Sequence, residues 1–149
     1  MKEETLARFF EGRVTAADLA NDLRDSETQV SEIRSTVEIK DMQEEFVVTR
    51  DMALTLCDAV LREELAPGCL AIVGFALIAS DKFSWDGDDV VGDVIADWAS
   101  PEIYYELTIA NVERFRAWLR GAEEYPARRR SVARQLLRVV SVRSKRSSD

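Results

Sequence analysis

The sequence contains no histidine, only two cysteines and three prolines, and no long uninterrupted apolar run. Without histidine, the chain lacks the imidazole group that Ser-His-Asp and Cys-His catalysis require, and it lacks imidazole-based zinc sites and pH switches. Its six glycines are scattered and form neither a phosphate-binding loop nor a dinucleotide-binding fingerprint. The catalytic chemistry that remains open is that of carboxylate, Lys or Tyr side chains, or of a metal held by carboxylates.

The apolar content is typical of a globular protein with a buried core. Hydrophobic residues make up 46% and charged residues 32% of the 149 positions. The longest apolar stretch, residues 69–79, has about half the length that a membrane-spanning helix needs. Cys57 and Cys69 are not spaced as zinc ligands or as a redox pair, so we expect buried, reduced thiols. The amphipathic start does not resemble a secretory signal, and we expect a cytoplasmic protein.

Charge divides the chain into two parts. Residues 1–126 contain 12 Lys/Arg and 27 Asp/Glu, a net charge of −15, whereas residues 127–149 contain 8 Lys/Arg and one Asp, a net charge of +7. Asymmetry of this size bears on partners and solubility rather than on fold. We therefore predict an acidic helical domain over residues 1–126 and a basic amphipathic tail over residues 127–149, partly disordered at its end.

Apolar residues that recur every three to four positions predict an all-α fold. We expect a single-domain helical bundle of about six helices around a central apolar helix. The central helix is residues 70–79, which are apolar on all sides, although Ile72 and Val73 also allow a buried strand. The predicted helices cover residues 3–10, 15–23, 49–61, 70–79, 88–98 and 108–119.

Capping residues mark several of the predicted helix ends. Thr15, followed three residues later by Asp18, resembles a capping box with a shortened acid. Thr49 and Thr108 are suitable N-cap residues for the helices that follow them. Gly121 is a suitable residue to end the last helix of the acidic domain.

Residues 26–39 allow more than one structure. The spacing of Val30, Ile33 and Val37 predicts a further helix. The β-branched residues around Val37 and Ile39 equally allow a short strand or a connecting segment. The sequence pattern alone does not decide between them.

Residues 81–106 are strongly acidic, with eight acids and a single base, Lys82. On the predicted helix, Asp89, Asp93 and Asp97 follow one another at four-residue spacing, which places three carboxylates on one helix face. Like charges at this spacing destabilise an isolated helix by roughly 0.2–0.5 kcal/mol per pair. We interpret this acidic ridge, Asp89, Asp93 and Asp97, as a docking surface for a basic protein. The alternative is an ordinary solvated face of an acidic protein.

The same acids could serve a calcium site or carboxylate-based hydrolysis. EF-hand spacing fails when it is counted from Asp81, where Phe83 and Trp85 occupy ligand positions, and from Asp86, where Val90 occupies one. A hydrolase needs two carboxylates at a fixed separation in a cleft, which spacing along the chain does not establish. We therefore predict no metal, no cofactor and no catalytic residue, and a carboxylate or metal-dependent hydrolase is the least favoured alternative.

The tail has an Arg-rich amphipathic pattern. Val132 and Leu136 fall on one helix face, and Arg130 and Arg134 fall on another. Such a stripe can bind nucleic acid, an anionic membrane, or the acidic domain of its own or a neighbouring chain. We favour the acidic domain, because a body of net charge −15 repels nucleic acid. We predict no membrane partner, and nucleic acid only through this tail.

The opening of the chain shows one resemblance to a known family. Residues 6–19, Leu-Ala-Arg-Phe-Phe-Glu-Gly-Arg-Val-Thr-Ala-Ala-Asp-Leu, resemble the start of small bacterial immunity proteins of the colicin type. In those proteins a short helix ending in Gly precedes a second helix capped by Ser or Thr, as Gly12 and Thr15 do here. The resemblance implies a compact, acidic, helical and non-enzymatic protein that neutralises a basic nuclease toxin.

These observations together predict a non-catalytic protein-binding module, with toxin neutralisation as its most specific form. The alternative is a structural protein that forms homo-oligomers through its basic tail. Tyr and Trp are enriched among the residues that dominate binding energy, so aromatic residues beside the acids complete the predicted surface. The predicted partner-binding residues are Trp85, Asp86, Asp88, Asp89, Asp93, Asp97, Glu102, Tyr104 and Tyr105.

Overall fold

A computed structural model describes residues 1–31, 34–37 and 39–126 of the chain. Six α-helices make up most of these ranges, in agreement with the predicted all-α bundle. The predicted basic tail, residues 127–149, lies outside the described residues. The helices are α1 (Glu3–Phe10), α2 (Ala16–Ser26), α3 (Arg50–Leu61), α4 (Cys69–Ala79), α5 (Asp89–Ala99) and α6 (Ile109–Arg120).

The predicted capping residues act at the helix ends. The Thr15 N–H donates to Asp18 Oδ2 at 3.0 Å, and the Asp18 N–H donates to Thr15 Oγ1 at 3.1 Å, which completes a capping box at α2. The hydroxyls of Thr49 and Thr108 each accept from the backbone N–H three residues later, at 3.3 and 3.2 Å. Gly121 adopts a left-handed conformation with φ of 73° and ends α6.

Residues 27–31 and 34–37 form two strands, one of the structures that the sequence pattern left open. β1 (Glu27–Ser31) and β2 (Arg34–Val37) pair in antiparallel fashion, with Thr28 opposite Thr36. A short strand around Val37 was the alternative that its β-branched neighbours allowed. The backbone pairing therefore selects the strand among the structures that the sequence left open.

A second, very short strand pair was not predicted. β3 (Phe46–Val47) lies parallel to β4 (Phe83–Ser84), in register Phe46 to Phe83 and Val47 to Ser84. The Val48 N–H extends the pairing by donating to the Ser84 carbonyl at 2.7 Å. Each strand has only two residues, which is too short for an alternating pattern to reveal it.

The helices pack in pairs, α4 along α5 and α3 along α6. Gly74 permits the close approach of α4 to α5, because a Cβ atom there would lie 2.8 Å from the Ala99 backbone nitrogen and 2.9 Å from Trp98 Cβ. The Arg116 side chain donates to Asp58 Oδ1 at 2.7 Å and so links α6 to α3. Both helix pairs contribute to one apolar core.

The helix predicted to be central, α4, is not enclosed on every side. Leu70, Val73 and Leu77 are buried against the core. Phe75, on the same helix, is 45% exposed. A helix that is apolar all round is expected to be surrounded by other elements, but α4 leaves part of its circumference at the surface.

Candidate functional site

Asp88 joins the start of α5 to the start of α3. Its Oδ1 accepts from the backbone N–H groups of Val90 and Val91, at 3.2 and 3.4 Å, as an N-cap residue does. The Arg50 guanidinium donates to Oδ2 through Nε at 2.7 Å and to Oδ1 through Nη2 at 3.2 Å. This two-point geometry is the strong form of an arginine–carboxylate pair. Both oxygens of the Asp88 carboxylate are thus engaged in contacts within the fold.

Local electrostatics keep the Asp88 carboxyl ionised. Burial acts to raise its pKa, but the hydrogen bonds from Arg50 and from the Val91 N–H outweigh burial, and the pKa lies below its ordinary value. The same hydrogen bond raises the pKa of Arg50. Both groups are charged at neutral pH, and each compensates the charge of the other.

Asp86 and Asp89, on either side of this pair, are exposed. Asp86 and Gly87 both have positive φ, 48° and 76°, and form the tight turn that precedes α5. Asp and Gly are among the residues that tolerate this conformation, so the turn follows directly from the sequence. Asp86 in the turn and Asp89 at the start of α5 thus present two carboxylates at the surface beside the Arg50–Asp88 pair.

Two of the three residues of the acidic ridge do not face solvent. Asp93 and Asp97 are 1% and 0% exposed, whereas Asp89 is exposed. Tyr125, only 2% exposed, donates its phenolic O–H to Asp97 Oδ2 at 2.8 Å. The prediction of a continuous solvent-facing ridge is therefore wrong. The physical reason is that the segment after α6 returns to α5 and places Tyr125 on the face that was predicted to be free.

Burial and the nearby carboxylates both raise the pKa of the Tyr125 phenol. Burial raises the pKa of its phenol, and the nearby charge of Asp97 raises it further. Asp93 and Tyr105 act in the same direction. The phenol therefore remains protonated and is held as a hydrogen-bond donor to Asp97.

Trp85 was predicted to be an exposed interface anchor, but it is half-buried. A Cβ atom on Gly92 would lie 2.7 Å from the Trp85 Nε1, so the indole rests directly on the first turn of α5. The absence of a side chain at Gly92 makes room for the ring. Trp85 therefore supports the turn at Asp86 and leaves only part of its surface for a partner.

The remaining predicted residues lie beyond the other end of α5. Glu102 is exposed, and Tyr104 and Tyr105 are half-buried. The Tyr105 ring contacts the rings of Phe115 and Trp118 at centroid distances of 5.9 and 5.4 Å. Since an 11-residue helix is about 16 Å long, the two ends of α5 do not form one compact cluster. The nine predicted residues therefore do not form one surface. They lie at opposite ends of α5, and Asp93 and Asp97 between the two ends are buried.

An acidic groove was missed by sequence reasoning. It has a volume of about 360 Å³ and lies between α1 and residues 41–46. Phe46 contributes to its wall and stacks on Phe10 at 6.0 Å between ring centroids. The acids that line the groove are Glu4, Glu11, Asp41, Glu44 and Glu45, and its bases are Arg8 and Arg13.

The pairing of β3 with β4 places two acidic segments at the two ends of one strand pair. Glu44 and Glu45 are exposed immediately before β3, and Asp86 and Asp89 are exposed shortly after β4. Because the two strands run parallel and in register, these pairs of acids flank opposite ends of the same strand pair. Val47, the exposed residue of β3, lies between them and is 48% exposed.

The described residues contain no cluster of three or more Cys, Asp or Glu side chains arranged to hold a metal ion. Over the same ranges, none of the helices combines the length and the apolar character needed to cross a membrane. No protein-family model matches the chain, and neither a curated protein nor a solved structure matches it. The candidate site therefore depends on its own geometry and charge.

Proposed function

We propose that the protein is a non-catalytic binding module that docks a basic protein. Its acidic docking surface consists of the exposed carboxylates Glu44, Glu45, Asp86 and Asp89, with the exposed Val47 between them. The observation that supports the proposal is the β3–β4 register, which places acids about forty positions apart in the chain at the two ends of one strand pair. This surface replaces the acidic ridge, from which Asp93 and Asp97 are removed by burial.

The composition of this surface suits a protein partner. The carboxylates attract a basic surface at long range. The exposed side chain of Val47 provides an apolar contact that loses water when the partner binds. The net charge of −15 on residues 1–126 adds a field that favours encounter with a cationic partner.

The most specific form of the proposal is a toxin-neutralising immunity protein that covers a basic nuclease. Its support is the resemblance of residues 6–19 to colicin-type immunity proteins, together with the small size, the acidic charge and the helical fold. A cytoplasmic location belongs to the same proposal. Neither Cys57 nor Cys69, both within the described ranges, forms a disulfide, as is usual in a reducing compartment.

The test uses two charge variants and one control with an equal change in net charge. The variants are Glu44→Gln with Glu45→Gln, and Asp86→Asn with Asp89→Asn. The control neutralises Glu113 and Glu123, which are exposed elsewhere on the molecule. Wild-type protein is used as bait in lysate of its native cells, and a captured basic protein is then purified and tested for nuclease activity.

Binding of that purified protein is measured by calorimetry at two salt concentrations. We expect each site variant to weaken binding by about tenfold or more at low salt, with a smaller effect at high salt, and the control to bind as the wild type does. Equal weakening by all three variants would show that net charge alone matters. Unchanged binding by both site variants would remove this surface from the proposal, and a partner without nuclease activity would remove the toxin assignment.

A further inference from the structure

The acidic groove between α1 and residues 41–46 has an apolar wall as well as carboxylates. Ala7, Met42 and Phe46 line it, and the last two are half-buried, so part of each side chain remains open to the groove. Its volume of about 360 Å³ is near the lower end of the range for ligand pockets, which is about 300–1,000 Å³. The groove therefore suits a long side chain of a partner rather than a folded element.

Hydrogen bonds hold both ends of the segment that forms this wall. The Met42 N–H donates to Glu3 Oε2 at 3.0 Å, and the Glu3 N–H donates to the Lys40 carbonyl at 2.9 Å. Glu3 is only 1% exposed, so its carboxylate is used to fix this segment. At the other end, the Phe46 N–H donates to the Lys82 carbonyl at 2.8 Å. A wall held in this way is already in place before a ligand binds, which lowers the free-energy cost of binding.

The groove's own bases compensate only part of its acids. Five acids and two bases line it, which leaves a net charge of −3. The two arginines pair with two of the acids, Arg8 with Glu4 and Arg13 with Glu11. Three exposed acids of the groove form no ion pair with a Lys or Arg of residues 1–24 and 39–126, and they are Asp41, Glu44 and Glu45. The charge that complements this groove is therefore positive.

We infer that the acidic groove binds an arginine side chain of the basic partner. Arginine lays its methylene stem along apolar surface, stacks its planar guanidinium on aromatic rings and pairs with carboxylates at two points. The groove offers all of these contacts, with Met42 and Phe46 in its wall and Asp41, Glu44 and Glu45 as carboxylates. The inference rests on the proposed function, because Glu44 and Glu45 belong both to the groove and to the acidic docking surface.

The first test uses a blocked tri-arginine peptide as the probe and amide NMR titrations of the full chain as the readout. Two control peptides are tri-citrulline, which has nearly the same shape without charge, and tri-lysine, which has the same charge without the guanidinium plane. We expect tri-arginine to shift the amide signals of Ala7, Met42 and Phe46 and to bind about fivefold more tightly than tri-lysine. Tri-citrulline should give no saturable shift.

Two single variants separate the groove from the rest of the acidic docking surface. Asp41 lines the groove and is not part of that surface, whereas Asp86 is part of that surface and does not line the groove. We expect Asp41→Asn to weaken tri-arginine binding by roughly threefold to tenfold at low salt, and Asp86→Asn, with the same loss of charge, to leave it within about twofold.

A third variant tests the aromatic part of the wall. Phe46→Leu keeps the wall apolar but removes the ring, so the preference for tri-arginine over tri-lysine should fall below about twofold. Urea unfolding establishes that each variant is folded. If Phe46→Leu does not fold, the comparison of Asp41→Asn with Asp86→Asn still decides the question.

Three results would overturn the inference. One is binding of tri-citrulline or tri-lysine as tight as that of tri-arginine. Another is a set of shifts centred on Asp86 and Asp89 instead of the groove. The third is equal weakening by Asp41→Asn and Asp86→Asn, since net charge would then explain the binding.

Binding of the captured basic protein distinguishes this inference from the proposed function. If Glu44→Gln with Glu45→Gln weakens partner binding and Asp41→Asn does not, the docking surface is supported and the arginine inference fails. If tri-arginine binds in the groove while partner binding is unchanged in every variant of the acidic docking surface, the groove is an arginine site and the proposed function fails.

Discussion

Asp88 and Arg50 form a two-point ion pair that joins the beginnings of α5 and α3, with donor–acceptor distances of 2.7 and 3.2 Å. The two residues are 38 positions apart in the chain. Asp88 also caps α5 through the N–H groups of Val90 and Val91. One carboxylate thus performs two structural functions at the edge of the proposed docking surface.

Replacing Asp88 tests these two functions separately. Asp88→Ala removes both the cap and the ion pair, and we expect it to lower the free energy of unfolding by about 1–3 kcal/mol. Asp88→Asn keeps a good N-cap residue and loses only the charge, so the expected loss is smaller. Urea unfolding measures both, with Asp86→Asn as the exposed control that should stay within about 0.5 kcal/mol of the wild type. Equal effects of Ala and Asn would contradict the capping role.

The lowered pKa of Asp88 predicts a specific pH dependence. Because the pKa is lower in the folded protein than the ordinary value of 3.8, the folded state binds protons less readily than the unfolded state. The stabilisation is therefore fully present above about pH 4 and is lost as the pH falls through the folded-state pKa. We expect the difference in unfolding free energy between wild type and Asp88→Asn to be constant near neutral pH and to decline in strong acid. A difference that grows on acidification would contradict the assignment.

Gly74 tests the packing of α4 against α5. A Cβ atom there would meet the Ile95 carbonyl oxygen at 2.9 Å and the Ala99 nitrogen at 2.8 Å, and backbone atoms do not move aside easily. We expect Gly74→Ala to lower the unfolding free energy by about 1–3 kcal/mol despite its better helix propensity. Gly68→Ala is the matched control, because nothing lies within 4 Å of its Cβ position. Thermal or urea unfolding compares the two, and similar stability would show that the helices can separate without loss.

Cys57 provides a probe of unfolding. Burial raises the pKa of its thiol to about 12, and the charge of Asp58 contributes in the same direction. Since the thiolate is the reactive form, we expect Cys57 to be almost inert to thiol reagents at pH 8 in the folded protein. A Cys69→Ser variant isolates the signal. Its labelling rate should rise with urea along the same transition as the circular dichroism signal, and rapid labelling in the absence of urea would contradict the buried position.

The acidic residues show how far sequence reasoning about a site can go. The helix predicted over residues 88–98 follows from its apolar spacing and was placed correctly, within one residue of α5 at each end. The exposure of Asp93 and Asp97 was not, because a helical pattern shows which residues share a face but not what covers that face. Tyr125 covers Asp97 from 28 positions away. Contacts at that separation leave no periodic signal in either segment.

Local chemistry determined much of this fold. Thr15, Thr49 and Thr108 define the starts of three helices and Gly121 the end of one, because capping needs only a side chain and backbone within a few positions. The tertiary structure alone decided which acids face water and which strands pair. Those outcomes depend on contacts between distant segments, whose free energy comes from burial and cross-strand pairing that no short stretch of sequence contains.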